Sequence, residues 1–108
     1  MMNQDEIHNA AWQQAQAGLA KQRQEINEID AQIAKLLQSR FAASRQIAQL
    51  KASANLPVLN VTREAQVLAH ATKDVDDPAV AEAIRGIFTT IMQESRALQN
   101  EQLKKAQV

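Results

Sequence analysis

The chain has 108 residues, the size of one ordinary domain, and its twelve basic residues balance twelve acidic ones. With no net charge and no basic block, nothing electrostatic points to nucleic acid or to an anionic membrane as a partner. There is no cysteine, and His8 and His70 lie far apart, so disulfides and thiolate metal sites are excluded and no metal site is expected. The opening MMNQDEIHNAAW lacks the pattern of a leader, and no later run approaches the length of a membrane span; the expectation is a soluble, cytoplasmic protein.

Twenty Ala and fifteen Gln, against two Gly, two Pro and no Tyr, favour helix over sheet and predict an all-α fold in a single domain. Leu, Ile, Val and Phe together number only 25, a thin supply for a one-chain core, so a core shared between subunits is expected. From about Ala15 to Ala54, apolar residues recur at Leu19, Ile26, Ile29, Ile33, Leu36, Leu37, Phe41, Ile47 and Leu50, which is helical spacing. Forty residues make a rod about 60 Å long, and such a rod must find a partner to cover its stripe. Pro57 predicts the end of this helix, and Thr62 is the expected cap of a short second one through Arg63, Val67, Leu68 and Ala71. Asp77-Pro78 is a start signal for a third, running to about Lys104. Gly86 within it reads either as a close approach of another backbone or as a surface position. The tails, Met1 to Trp12 and Lys105 to Val108, are expected to fray, leaving a core of about residues 19–102.

The apolar stripes are broken in a pattern. At 100° per residue, Arg40 falls within about 20° of Ile33, Ile47 and Lys51, so two cations sit on the first helix's apolar face. A buried cation without a partner is costly, which points to an anion or a wet cavity there. On the third helix Ser95 and Gln99 continue the stripe of Phe88, Ile91 and Met92, placing a hydroxyl and a neutral amide inward. Taken alone these two read as cross-helix hydrogen bonds; with Arg40 and Lys51 they point to a polar pocket between helices. Arg63 and Glu64 open the second helix, a fork of donors and an acceptor that alone would read as a solvated helix start. Arg23 lies 17 residues before Arg40, some 25 Å away by ordinary helix rise, and cannot serve the same pocket from the same chain. In an antiparallel dimer of long helices the Arg23 of one subunit comes near Arg40 and Lys51 of the other, giving two identical pockets on a twofold axis.

The ordered set Arg23, Ile26, Ile29-Asp30, Ile33, Leu36-Leu37, Arg40, then Ile47 and Lys51, Pro57-Val58, Arg63-Glu64, and Ile91-Met92, Ser95 and Gln99, resembles the all-helical (type II) chorismate mutases. The likeness covers about Leu19 to Gln102. It implies a three-helix protomer in an intertwined homodimer, each active site borrowing one arginine from the other subunit. It also implies conversion of chorismate to prephenate, in aromatic amino acid biosynthesis, by a Claisen rearrangement that uses no cofactor or metal. By the resemblance, Arg40 and the partner's Arg23 hold the two substrate carboxylates, with Ser95 assisting. Lys51 and Gln99 donate to the ether oxygen as it gains charge. Glu64 accepts from the ring hydroxyl, and Arg63 orders the wall around it. Position 60 departs from the family pattern: it is Asn, where well-known members carry Asp.

Three other readings remain at this stage. An isochorismate pyruvate-lyase or an aminodeoxychorismate mutase on the same scaffold keeps the cationic pocket, although Arg63-Glu64 and the loop length favour the mutase. A non-catalytic helical dimer has no use for Arg40 and Gln99 inside apolar stripes.

Overall fold

The structure, a computed structural model, describes residues 1–106. Among these the fold is all-α, with α1 (Gln4–Ser53), α2 (Val61–Thr72) and α3 (Pro78–Ala106) and no strand. The chain divides into two compact units, Met1–Gln38 and a second from Ser39 onward.

The first unit consists of the N-terminal part of α1. It starts at Gln4 rather than near Ala15, because Asn3 and Glu6 form a reciprocal cap: the Glu6 N–H donates to Asn3 Oδ1 (2.8 Å) and the Asn3 N–H to Glu6 Oε2 (3.2 Å). Of its large apolar side chains, Leu19, Ile26, Ile29, Ile33 and Leu36 are exposed, as is Trp12, while Leu37 is half-buried. A helix propensity rich in Ala and Gln forms the rod, and nothing within the unit covers its stripe.

In the second unit α1 ends with Asn55 in the left-handed conformation (φ 56°). The Leu56 N–H donates to the Lys51 carbonyl (2.8 Å) and the Asn55 N–H to that of Ala52 (3.2 Å), the paired bonds of a Schellman ending, and Pro57 follows where the helix cannot resume. The cap of α2 is Asn60, not Thr62. Asn60 has extended dihedrals and its Oδ1 accepts the Arg63 N–H at 3.0 Å. Asp77 caps α3 as its sequence signal predicts, accepting from the Ala79 N–H at 2.9 Å. α3 continues past Lys104 through Lys105 and Ala106; the rest of the expected C-terminal tail, residues 107 and 108, lies outside the described residues.

α2 packs on α3, and the buried set of this unit is small: Ala48, Ala81 and Met92, with the polar Ser44, Ser95 and Gln99. A Cβ at Gly86 would meet nothing within 4 Å, so within this chain Gly86 is a surface position. None of the described helices is long and apolar enough to cross a membrane.

Candidate active site

A cavity of about 410 Å³ opens in the second unit, between the C-terminal part of α1, the α1–α2 loop, the start of α2, and α3. This is the size of a small-molecule site. Its charged lining is one-sided: Arg40, Lys51, Arg63 and Arg96 against the single carboxylate of Glu64. Ile47, Val58, Val67 and Met92 supply apolar walls, which weaken solvent screening of those charges.

Arg40 is half-buried, and its Nη1 donates to Ser95 Oγ at 2.9 Å. One helical turn further along both helices, Gln99 Nε2 donates to Ser44 Oγ at 2.6 Å. Since 40 pairs with 95 and 44 with 99, this part of α1 and α3 run in the same direction, joined by two polar rungs. Ser95 and Gln99 are 5% and 7% exposed, so the inward placement expected from the stripe holds. The cross-helix hydrogen bonds and the polar pocket, set against each other as readings of the sequence, are both present: the same side chains make the rungs and line the cavity.

Gln99 Oε1 is buried and has no hydrogen-bond partner. A buried acceptor left unmade costs about 1–3 kcal/mol, so a donor is wanted at this spot. A half-turn of the terminal amide would let the Ser44 hydroxyl donate to Oε1 and would put Nε2 where Oε1 now lies.

Lys51 is half-buried on the last turn of α1, where its Nζ donates to the Val58 carbonyl at 2.8 Å. The loop set by the Schellman ending therefore holds the ammonium in place, with two further N–H donors available. Asn60 and Arg63 line the same cavity from exposed positions, and the Asn60 amide oxygen is engaged in capping α2. Glu64, on the first turn of α2, is ion-paired across to Arg96 of α3, each side chain a little over a quarter exposed.

Of the residues expected from sequence, Arg40, Lys51, Asn60, Arg63, Glu64, Ser95 and Gln99 thus line one cavity. Arg23 does not; it is exposed on the first unit. Two polar lining residues carry no expectation from the sequence, Ser44 and Arg96. Ser44 had a signal: it follows Arg40 by four as Gln99 follows Ser95, which is what two parallel rungs require. Arg96 had none, since on helical spacing it stands beside Ser95 at the edge of the stripe. A second depression, of about 480 Å³, shares Arg40 and Arg63 and adds His70 and Phe88. No group of three or more potential metal ligands occurs among the described residues.

Residues 22–100 match the family profile of chorismate mutase type II. The chorismate mutase of Methanocaldococcus jannaschii is 30% identical over 90 residues, which cover 82% of this chain and 91% of that protein. No solved structure matches the chain. A family match over residues 22–100, about three quarters of the chain, together with a chorismate mutase relative 30% identical, places this protein in the chorismate mutase type II family.

Proposed function

We propose that the cavity lined by Arg40, Lys51, Glu64, Ser95 and Gln99 is the active site of a chorismate mutase, in which chorismate rearranges to prephenate. The observation that carries this is the pair of polar rungs, the half-buried Arg40–Ser95 and the buried Ser44–Gln99, on the wall of a cavity with four cations and one anion. A dianionic substrate is the ligand such a wall selects. The family and the named relative support the same reaction.

The Claisen rearrangement breaks a C–O bond and forms a C–C bond within one molecule, so the catalyst has two tasks. It must hold the enolpyruvyl arm over the ring, and it must stabilise negative charge on the ether oxygen as the C–O bond leads. Arg40, with Ser95 beside it, fixes one carboxylate; the Arg23 of a second subunit fixes the other. Orientation of this kind can lower a barrier by several kcal/mol. Lys51 and Gln99 are the donors to the ether oxygen. Lys51 is already fixed by the Val58 carbonyl, and a donor that needs no reorganisation favours the transition state over the ground state. Glu64 accepts from the ring hydroxyl, and Arg63 and Asn60 form the wall around it.

The homodimer belongs to this proposal. Its support is the row Leu19, Ile26, Ile29, Ile33 and Leu36, exposed in the single chain, and the 17 residues of helix that separate Arg23 from Arg40, about 25 Å of rise. A second copy answers both.

The test is direct. Purified protein is added to chorismate, the loss of ultraviolet absorbance is followed, and the product is identified as phenylpyruvate after acid treatment. Prephenate should form above the uncatalysed rate, and Gln99→Ala should lower kcat by about two to three orders of magnitude while the protein stays folded. Release of pyruvate from isochorismate, with no prephenate from chorismate, would instead identify a lyase.

A further inference from the structure

Glu64 poses an electrostatic difficulty for the reading above. Among the described residues it is the only carboxylate on the cavity wall, yet the substrate carries two carboxylates of its own. An unpaired carboxylate in a partly dry pocket repels such a ligand and is free to swing toward solvent or toward the neighbouring cations Arg63 and Lys51. Arg96 removes the difficulty. It reaches from α3 to Glu64 Oε2, both side chains are largely withdrawn from water, and Arg96 itself borders the cavity.

We propose that Arg96 is a positioning residue for the mutase reaction: its ion pair with Glu64 directs that carboxylate to the ring hydroxyl and offsets its charge against the substrate. The proposal rests on the active-site reading above. Only one Nη of Arg96 bonds Glu64, to one oxygen, so Oε1 of the carboxylate remains for the substrate hydroxyl. The pair also ties the first turn of α2 to α3, so the wall that carries Arg63 and Glu64 is held from two sides, by the Asn60 cap and by Arg96. Because the ring hydroxyl stays bound through the rearrangement, this contact is worth about the same before and at the transition state. Its loss therefore falls on KM and not on kcat.

A double-mutant cycle in KM separates this role from the alternatives. The wild-type chain, Arg96→Ala, Glu64→Gln and the double variant are assayed with chorismate, with circular dichroism and thermal unfolding run on each. Arg96→Ala should raise KM about tenfold with kcat within about twofold, as expected for breaking a partly buried ion pair that serves ground-state binding. Arg96→Lys should recover most of that loss. In the Glu64→Gln background, Arg96→Ala should raise KM by no more than about twofold, because the charge it offsets is gone. Arg96→Gln keeps part of the stem and serves the same cycle if the alanine variant folds poorly. Equal KM effects of Arg96→Ala in both backgrounds would mean that Arg96 touches the substrate directly or acts only on the fold, and would overturn the proposal. So would an unchanged KM, or a loss confined to kcat. Absence of turnover by the wild-type chain is a separate result: it sinks the mutase reading, and this inference with it.

Discussion

The buried amide of Gln99 makes one hydrogen bond, from Nε2 to Ser44 Oγ, and leaves Oε1 with none. If Gln99 is to donate to a substrate oxygen, the amide must turn so that Ser44 becomes the donor to Oε1 and Nε2 takes the place where Oε1 now lies. Ser44 can do this because a hydroxyl donates or accepts as its rotor requires. Removing it leaves an amide whose two orientations differ little in energy, and part of the population then offers the ether oxygen a lone pair where it needs a hydrogen. Ser44→Ala is therefore expected to lower kcat about tenfold, with KM within about twofold, since the lost order matters where charge develops. Steady-state kinetics check this; an unchanged kcat would show that the cavity alone orients Gln99. The contrast with Arg96, whose loss falls on KM, follows from which substrate atom each residue serves through its partner.

At the scale of helices, the cap of α2 joins stability to the site. Asn60 Oδ1 satisfies the Arg63 N–H, so the residue that departs from the family's Asp still does the structural half of an aspartate's work. Asn60→Ala should cost about 1 kcal/mol of stability and raise KM through fraying of the turn that carries Arg63 and Glu64. Asn60→Asp keeps the acceptor and adds a charge at the positive end of α2, for a gain of about 0.3–1 kcal/mol. Thermal or urea unfolding of both variants measures the two shifts, and equal stability of Asn60→Ala and the parent would show the cap to be idle. Caps also mark how far the helices were readable. Asp77 stands directly before Pro78, and that pairing, which the neighbouring Asp76 lacks, marks the start of α3. Asn60 and Thr62 are both good caps two residues apart, and only the extended dihedrals of Asn60 decide between them. Asn3 and Glu6 hold the spacing of a capping box, but the apolar spacing before Leu19 is too weak to mark a helix behind it. Pro57 marks the end of α1 in the sequence, while the helix stops a little earlier, at Ser53, ahead of Asn55, whose left-handed conformation no periodicity reveals. Periodicity did find the inward side chains Arg40, Ser95 and Gln99, because a polar residue on an apolar stripe stands out; Arg96, at the stripe's edge, does not.

For the whole molecule the scarcity of large apolar residues has a visible result: the buried set of the second unit is Ala48, Ala81 and Met92, with as many polar residues beside them. The first unit exposes a row of Leu and Ile whose burial would be worth about 1.5–3 kcal/mol each, and a second copy of the chain is the simplest cover. A twofold dimer with shared sites makes a prediction that a merely stable dimer does not. Arg23→Ala and Gln99→Ala chains are each expected to be nearly inactive, because every site in either homodimer carries the lesion. In a mixed dimer the two lesions fall together in one site if Arg23 crosses to the partner's cavity, and the other site is left intact. Equal mixing, after unfolding and refolding together, makes about half the dimers mixed, so activity should return to about one quarter of the parent value. If Arg23 served its own chain's cavity, each site of the mixed dimer would keep one lesion and nothing would return. Sedimentation before and after mixing confirms that both variants still dimerise, so the recovered activity reads the crossing of Arg23 and not the presence of an interface.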